Sequence, residues 1–85
     1  MYKKEVYDLV ESLGKELKKM YDTAEEGEQV TRIHLFGIKN GEKIINNRIK
    51  VSDIVQVAEI NESYKTEVSK GVKLSKYVFV KQGIL

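Results

Sequence analysis

Between Asn61 and Lys76 the chain gathers side chains that hydrogen-bond and side chains that pair with anions. Glu62, Ser63, Thr66 and Glu67 are the first kind. A carboxylate accepts from an exocyclic amine such as cytosine N4, and a hydroxyl bonds several base edges. Lys65, Lys70, Lys73 and Lys76 are the second kind, with Arg48 and Lys50 a short way upstream. Such cations suit phosphate oxygens and bring a steep dependence on salt. No Arg, Asn or Gln falls within residues 62–70 to make the common bidentate contacts to guanine or adenine.

Catalytic chemistry has little to work with. His34 is the only histidine, and it stands between Ile33 and Leu35. A lone histidine in that setting reads as a packed or half-exposed side chain. Cysteine is absent, so neither a disulfide nor a thiolate metal site is available. No glycine-rich phosphate loop or nucleophile–base pattern is present. The acids Glu25, Glu26 and Glu28 read as a solvated loop. No enzyme activity, metal or cofactor is expected. The tyrosines are scattered and do not form an alternating stacking surface for single strands.

The elements that would position the reactive residues are helices. From Ile54 to Leu74 the pattern is helix, tight turn, second helix. Ile54, Ala58, Ile60 and Val68 fall where two short crossed helices touch. Asn61 is a good N-cap, its side-chain oxygen free to accept a backbone N–H. Gly71 is expected just past the end of the second helix, in the left-handed conformation that glycine adopts cheaply. The second helix is placed at about Glu62 to Lys70.

This segment resembles the helix-turn-helix of the Cro/C1-repressor (XRE-like) type, found in phage and bacterial regulators. Ile54, Val55, Gln56, Val57, Ala58, Glu59, Ile60, Asn61, Glu62, Ser63 and Tyr64 follow that order, and Val68, Ser69, Lys70 and Gly71 complete it. The resemblance implies a small DNA-binding protein acting as a transcriptional regulator, with double-stranded DNA as partner. It also implies that base edges are approached near Glu62 and Ser63. Three positions depart from the pattern, so the motif is degenerate in its turn. Glu59 stands in place of the usual turn glycine, where positive φ would be strained. Val55 replaces a small residue at the helix crossing. Lys65 occupies a position usually buried, so it must snorkel or the helix must rotate. The alternative function is a helical protein–protein interaction module.

Upstream, residues 1–24 read as a long amphipathic helix. Val6, Val10, Leu13, Leu17, Met20 and Ala24 recur at alternating spacings of four and three. The stripe is either a homodimer or partner face, or the inward face of a helix packed on its own core. Gly14 weakens its middle by about 1 kcal/mol relative to alanine. Residues 29–47 support two readings. One is a helix with Val30, Ile33, Gly37, Ile38 and Ile44 on one face. The other is a hairpin at about 31–50 turning on Asn40-Gly41. The preceding helix expected of the family favours the first. Residues 72–80 read as a short closing helix with Leu74, Tyr77 and Val78 inward.

Residues 1–28 carry a balance of −3 and residues 29–85 a balance of +5, so the second part is the phosphate-facing candidate. Eighty-five residues make one domain, with a helix-turn-helix core at 29–80. The fold class is all-α with about four to five helices, the alternative being α+β. No apolar run is long enough to span a membrane, and a cytoplasmic protein is expected.

Overall fold

Apolar residues at helical spacing dictate four helices in the computed structural model, which describes residues 2–85. They are α1 (Lys4–Asp22), α2 (Gln29–Asn46), α3 (Val51–Ala58) and α4 (Lys65–Leu74). A 3-10 turn, Glu62–Tyr64, leads into α4. No strand forms among the described residues, and no helix there is long and apolar enough to cross a membrane. The fold is all-α, and the hairpin reading of 31–50 is replaced by one continuous helix.

The helices pair as two layers, α2 with α4 and α1 with α3. Val10, Leu13, Gly14 and Leu17 form the buried face of α1. Ile33, Phe36, Gly37, Asn40, Gly41 and Ile44 form that of α2. Both sets repeat at three and four residues, as one inward helix face requires. The α1 stripe considered as a dimer or partner face is therefore core. Val10, Leu13 and Leu17 are buried, and Val6 and Met20 pack half-buried at its edges.

Asn40-Gly41 looks like a turn in sequence and is helix interior in the fold. Asn40 is buried, and its Nδ2 donates to the Phe36 carbonyl at 3.1 Å and to Glu16 Oε2 on α1 at 3.0 Å. Glu16 Oε2 also accepts from Lys39 Nζ at 3.1 Å. Gly41 serves a different purpose. With Gly37 it makes a smooth track on α2, one turn apart, along which α4 lies. A Cβ on Gly37 would come within 2.8 Å of the Gly71 backbone, and one on Gly41 would collide with Ser75. Gly71 answers from the other side, packed against the His34 carbonyl and the Gly37 Cα. It lies inside α4, which runs on to Leu74, and not in the left-handed terminal position expected of it. The glycine is there for close approach of two backbones, not for a positive φ.

The α2–α3 corner is a Schellman motif. Arg48 takes the left-handed conformation at φ 53°. The Ile49 N–H donates to the Ile44 carbonyl at 3.0 Å, and Arg48 N–H to the Ile45 carbonyl at 3.1 Å. Ile49 and Ile44 join the core, giving the apolar contact typical of that motif. The Tyr2 hydroxyl ties the start of the chain to α3, accepting from the Lys50 N–H at 2.8 Å and donating to Asp53 Oδ2 at 2.7 Å.

Residues 72–80 do not make a separate closing helix. The chain turns through Ser75–Tyr77 and continues without regular structure. Leu74, Tyr77 and Val78 face outward. With Gly71 in mid-helix, α4 has already closed the core through Val68, Gly71 and Val72.

The crossing at Gly37 and Gly71 yields a direct expectation. Gly37→Ala gains about 1 kcal/mol of helix propensity, yet overpacking against the Val68 carbonyl and the Gly71 backbone costs about 1–3 kcal/mol, occasionally more. Urea denaturation should show a midpoint below that of the parent chain. A raised midpoint would contradict a backbone-to-backbone contact there.

Candidate nucleic-acid interface

The segment from α3 to α4 forms two short helices joined by a tight corner. Ile54, Val55 and Ala58 bury one face of α3, and Val68 faces them from α4. Glu59 ends α3 in the left-handed conformation, φ 58° and ψ 33°. The corner thus keeps the geometry that a turn glycine would give, at a strain cost of about 1–2 kcal/mol for a residue with a Cβ. Asn61 caps the second element as its sequence suggests, with its Oδ1 accepting from the Ser63 N–H at 2.8 Å. The 3-10 turn is held by Tyr64, whose ring meets that of Tyr21 edge-on with centroids 5.3 Å apart. The two hydroxyls lie 3.5 Å from each other, and that hydrogen bond raises the Tyr64 phenol above its ordinary pKa.

Tyr64, Val68, Gly71 and Val72 set the rotation of the second helix. Tyr64 packs at the edge of the core and the other three are buried. Lys65 is consequently exposed, and its Nζ pairs with Glu62 Oε1 at 3.0 Å. Thr66, Lys70 and Lys73, at spacings of four and three, form a stripe on the opposite side of the helix. All three are exposed, with Ser69 half-buried beside them. Glu62 and Ser63 are exposed at the leading end.

Glu67 is placed differently from the other acceptors singled out in sequence. It points along the α2 side, where its Oε1 lies 2.7 Å from His34 Nε2. Its Oε2 lies 3.4 Å from Lys70 Nζ. The His34 hydrogen bond, followed by Lys70, holds the Glu67 carboxyl below the usual carboxylate range, against an opposing effect of burial. Sequence reasoning missed this pair. His34 lies 33 residues away, and only the α2–α4 contact makes them neighbours.

Arg48, Lys50, Lys73 and Lys76 are exposed, and among the described residues none has a carboxylate within ion-pair distance. The acids of this region gather elsewhere. Asp53 and Glu59 on the α3 side, with Glu62, line a shallow concavity that also touches Ser52, Gln56 and Ile60. The outward side of α3 is therefore acidic, and that of α4 basic.

Two crossed helices joined by a tight corner and backed by two longer ones define a helix-turn-helix type of domain. A family model described as an HTH-like domain matches residues 9–81. The chain belongs to that HTH-like domain family. No curated protein and no solved structure matches it.

Glu67 gives this site a pH signature. A carboxyl with a depressed folded pKa adds stability that is present above its unfolded value, about 4.3. That contribution is lost as pH falls through the folded value. The melting-temperature gap between the parent and Glu67→Gln should be larger near neutrality than in strong acid, where both side chains are uncharged. A gap independent of pH would show that the His34 and Lys70 contacts do not act on Glu67.

Proposed function

We propose that this protein binds double-stranded DNA through α4 and acts as a transcriptional regulator or as the DNA-binding part of a larger system. One observation carries the reading. The second helix of the helix-turn-helix turns Thr66, Lys70 and Lys73 directly away from its buried face, while its acids are engaged. Glu67 is drawn back to His34 and Glu62 is paired with Lys65. The likeness of residues 54–71 to the Cro/C1 type supports the regulatory reading.

In this reading Lys70 and Lys73 contact phosphates, and Arg48 and Lys50 at the start of α3 contribute from a second point. Ser63 and Thr66 offer hydroxyls to base edges, and Glu62 can release Lys65 to accept from cytosine N4. Glu67 positions Lys70 and fixes α4 on α2. The acidic outer side of α3 repels phosphate, so the duplex lies against α4. A homodimer would present two such helices to two half-sites. Docking a protein partner on the α1 stripe is the weaker reading, because that stripe is buried.

The test is fluorescence anisotropy with a labelled duplex of random sequence, repeated across a salt series. The parent chain should bind, with log affinity falling linearly against log salt. Lys70→Ala with Lys73→Ala should shallow that slope by about 0.9 for each phosphate no longer neutralised, with helix content unchanged by circular dichroism. Absence of binding by the parent chain at low salt would sink the proposal.

A further inference from the structure

Two features of the fold lie outside the α4 stripe proposed for DNA, and they complement one another. The first is the segment after α4. Tyr77 and Phe79 are 82% and 91% exposed, and Val78, Ile84 and Leu85 are also exposed. The N–H groups of Phe79 to Gly83 donate to no backbone carbonyl among the described residues. Tyr77-Val78-Phe79-Val80 is rich in aromatic and β-branched residues, which favour extended chain. Lys76 and Lys81 flank it. Five exposed large apolar side chains in so short a segment mark a contact site.

The second feature is a groove between α1 and α3 with a volume of about 720 Å³. Tyr7, Val10 and Val57 line it with apolar surface. Glu11, Asp53 and Glu59 add carboxylates. Tyr7 is itself 55% exposed there, a large aromatic face without cover. Beside the groove, Gly14 lets Val57 and the Ile54 carbonyl pack closely on α1.

We propose that residues 76–85 of one copy dock into the α1–α3 groove of a second copy, apolar on apolar, with Lys76 and Lys81 against the groove's carboxylates. Charge selects this occupant. The segment is basic and aromatic, and the groove is acidic and apolar. Position favours a second copy over the same molecule. The segment leaves from Ser75, packed on Gly41 in the α2–α4 layer, whereas the groove belongs to the other layer. Reciprocal exchange of the two segments closes the assembly as a twofold dimer, where a one-way docking would propagate into a filament.

Sedimentation equilibrium of the full chain, without DNA, tests this separately from the DNA-binding reading. The parent chain should dimerise in the micromolar to sub-millimolar range. Phe79→Asp should raise the dissociation constant by about thirtyfold or more, the scale of removing an aromatic anchor. Glu11→Lys with Glu59→Lys should weaken dimerisation, and adding Lys76→Glu with Lys81→Glu should restore it. Circular dichroism and thermal melts identify any variant that fails to fold, and the restoring set keeps the test valid if one does. A parent chain monomeric throughout overturns the proposal. So does a dimer indifferent to Phe79→Asp, or a weakening that the charge exchange does not reverse.

Discussion

Two backbones meet directly between α2 and α4, and most of the surface chemistry follows from that contact. Gly37 and Gly41 on α2 meet Gly71 on α4 and Ser75 just past its end, so the helices approach to a distance that a Cβ at Gly37 or Gly71 would forbid. A crossing this tight leaves α4 little freedom to roll. Once Gly71 must face Gly37, Val68 and Val72 face the core, and Thr66, Lys70 and Lys73 must face solvent. Glu67 is then carried to the α2 flank within reach of His34. The His34–Glu67 pair pins the same rotation from outside, while the glycines set it from inside.

The second layer supports the first without touching it heavily. The contact between α3 and α4 is much smaller than either helix makes with its own layer partner. α4 therefore takes its position from α2, and α3 acts mainly as the arm that delivers the corner. That arm is fixed at both ends. Arg48 and Ile49 complete the Schellman corner before it, and Glu59 and Asn61 complete the turn after it. Arg48 and Glu59 both stand at positive φ without being glycine. Strained residues at both ends of one short helix are tolerable because buried neighbours hold them. Ile49 lies beside Arg48, and Ala58 beside Glu59, each in the core.

Much of this was legible in the residues, and what was not has a common cause. The amphipathic period of α1 was plain, as were the Asn61 cap, the four-residue spacing of Ile54 and Ala58, and the all-helical class. Glycine was the ambiguous letter. In sequence, Gly41 after Asn40 suggests a turn and Gly71 after Lys70 suggests a helix end, because glycine is usually needed for backbone freedom. Here both are needed for lack of volume, and nothing local distinguishes the two uses. Only the matching stripe on another helix does. The same blindness to distant neighbours hid the His34–Glu67 pair and made the outward-facing Tyr77 look like a core residue. The α1 stripe showed the opposite limit. Its period identified a buried face but could not say whether the burying surface was another copy or the rest of the same chain.

Charge on this small body follows the layers more than the order of the chain. The division of the sequence into an acidic first third and a basic remainder is coarse, because α3 lies in the basic part yet shows Asp53 and Glu59. Folding sets those acids beside Glu11 of α1 and leaves the lysines of α4 on the other layer. An acidic α1–α3 groove and a basic α4 stripe on one body set up opposite electrostatic fields on its two sides. The short reach of such fields in physiological salt, about 8 Å, makes this separation workable in a body 22 Å across its smallest dimension.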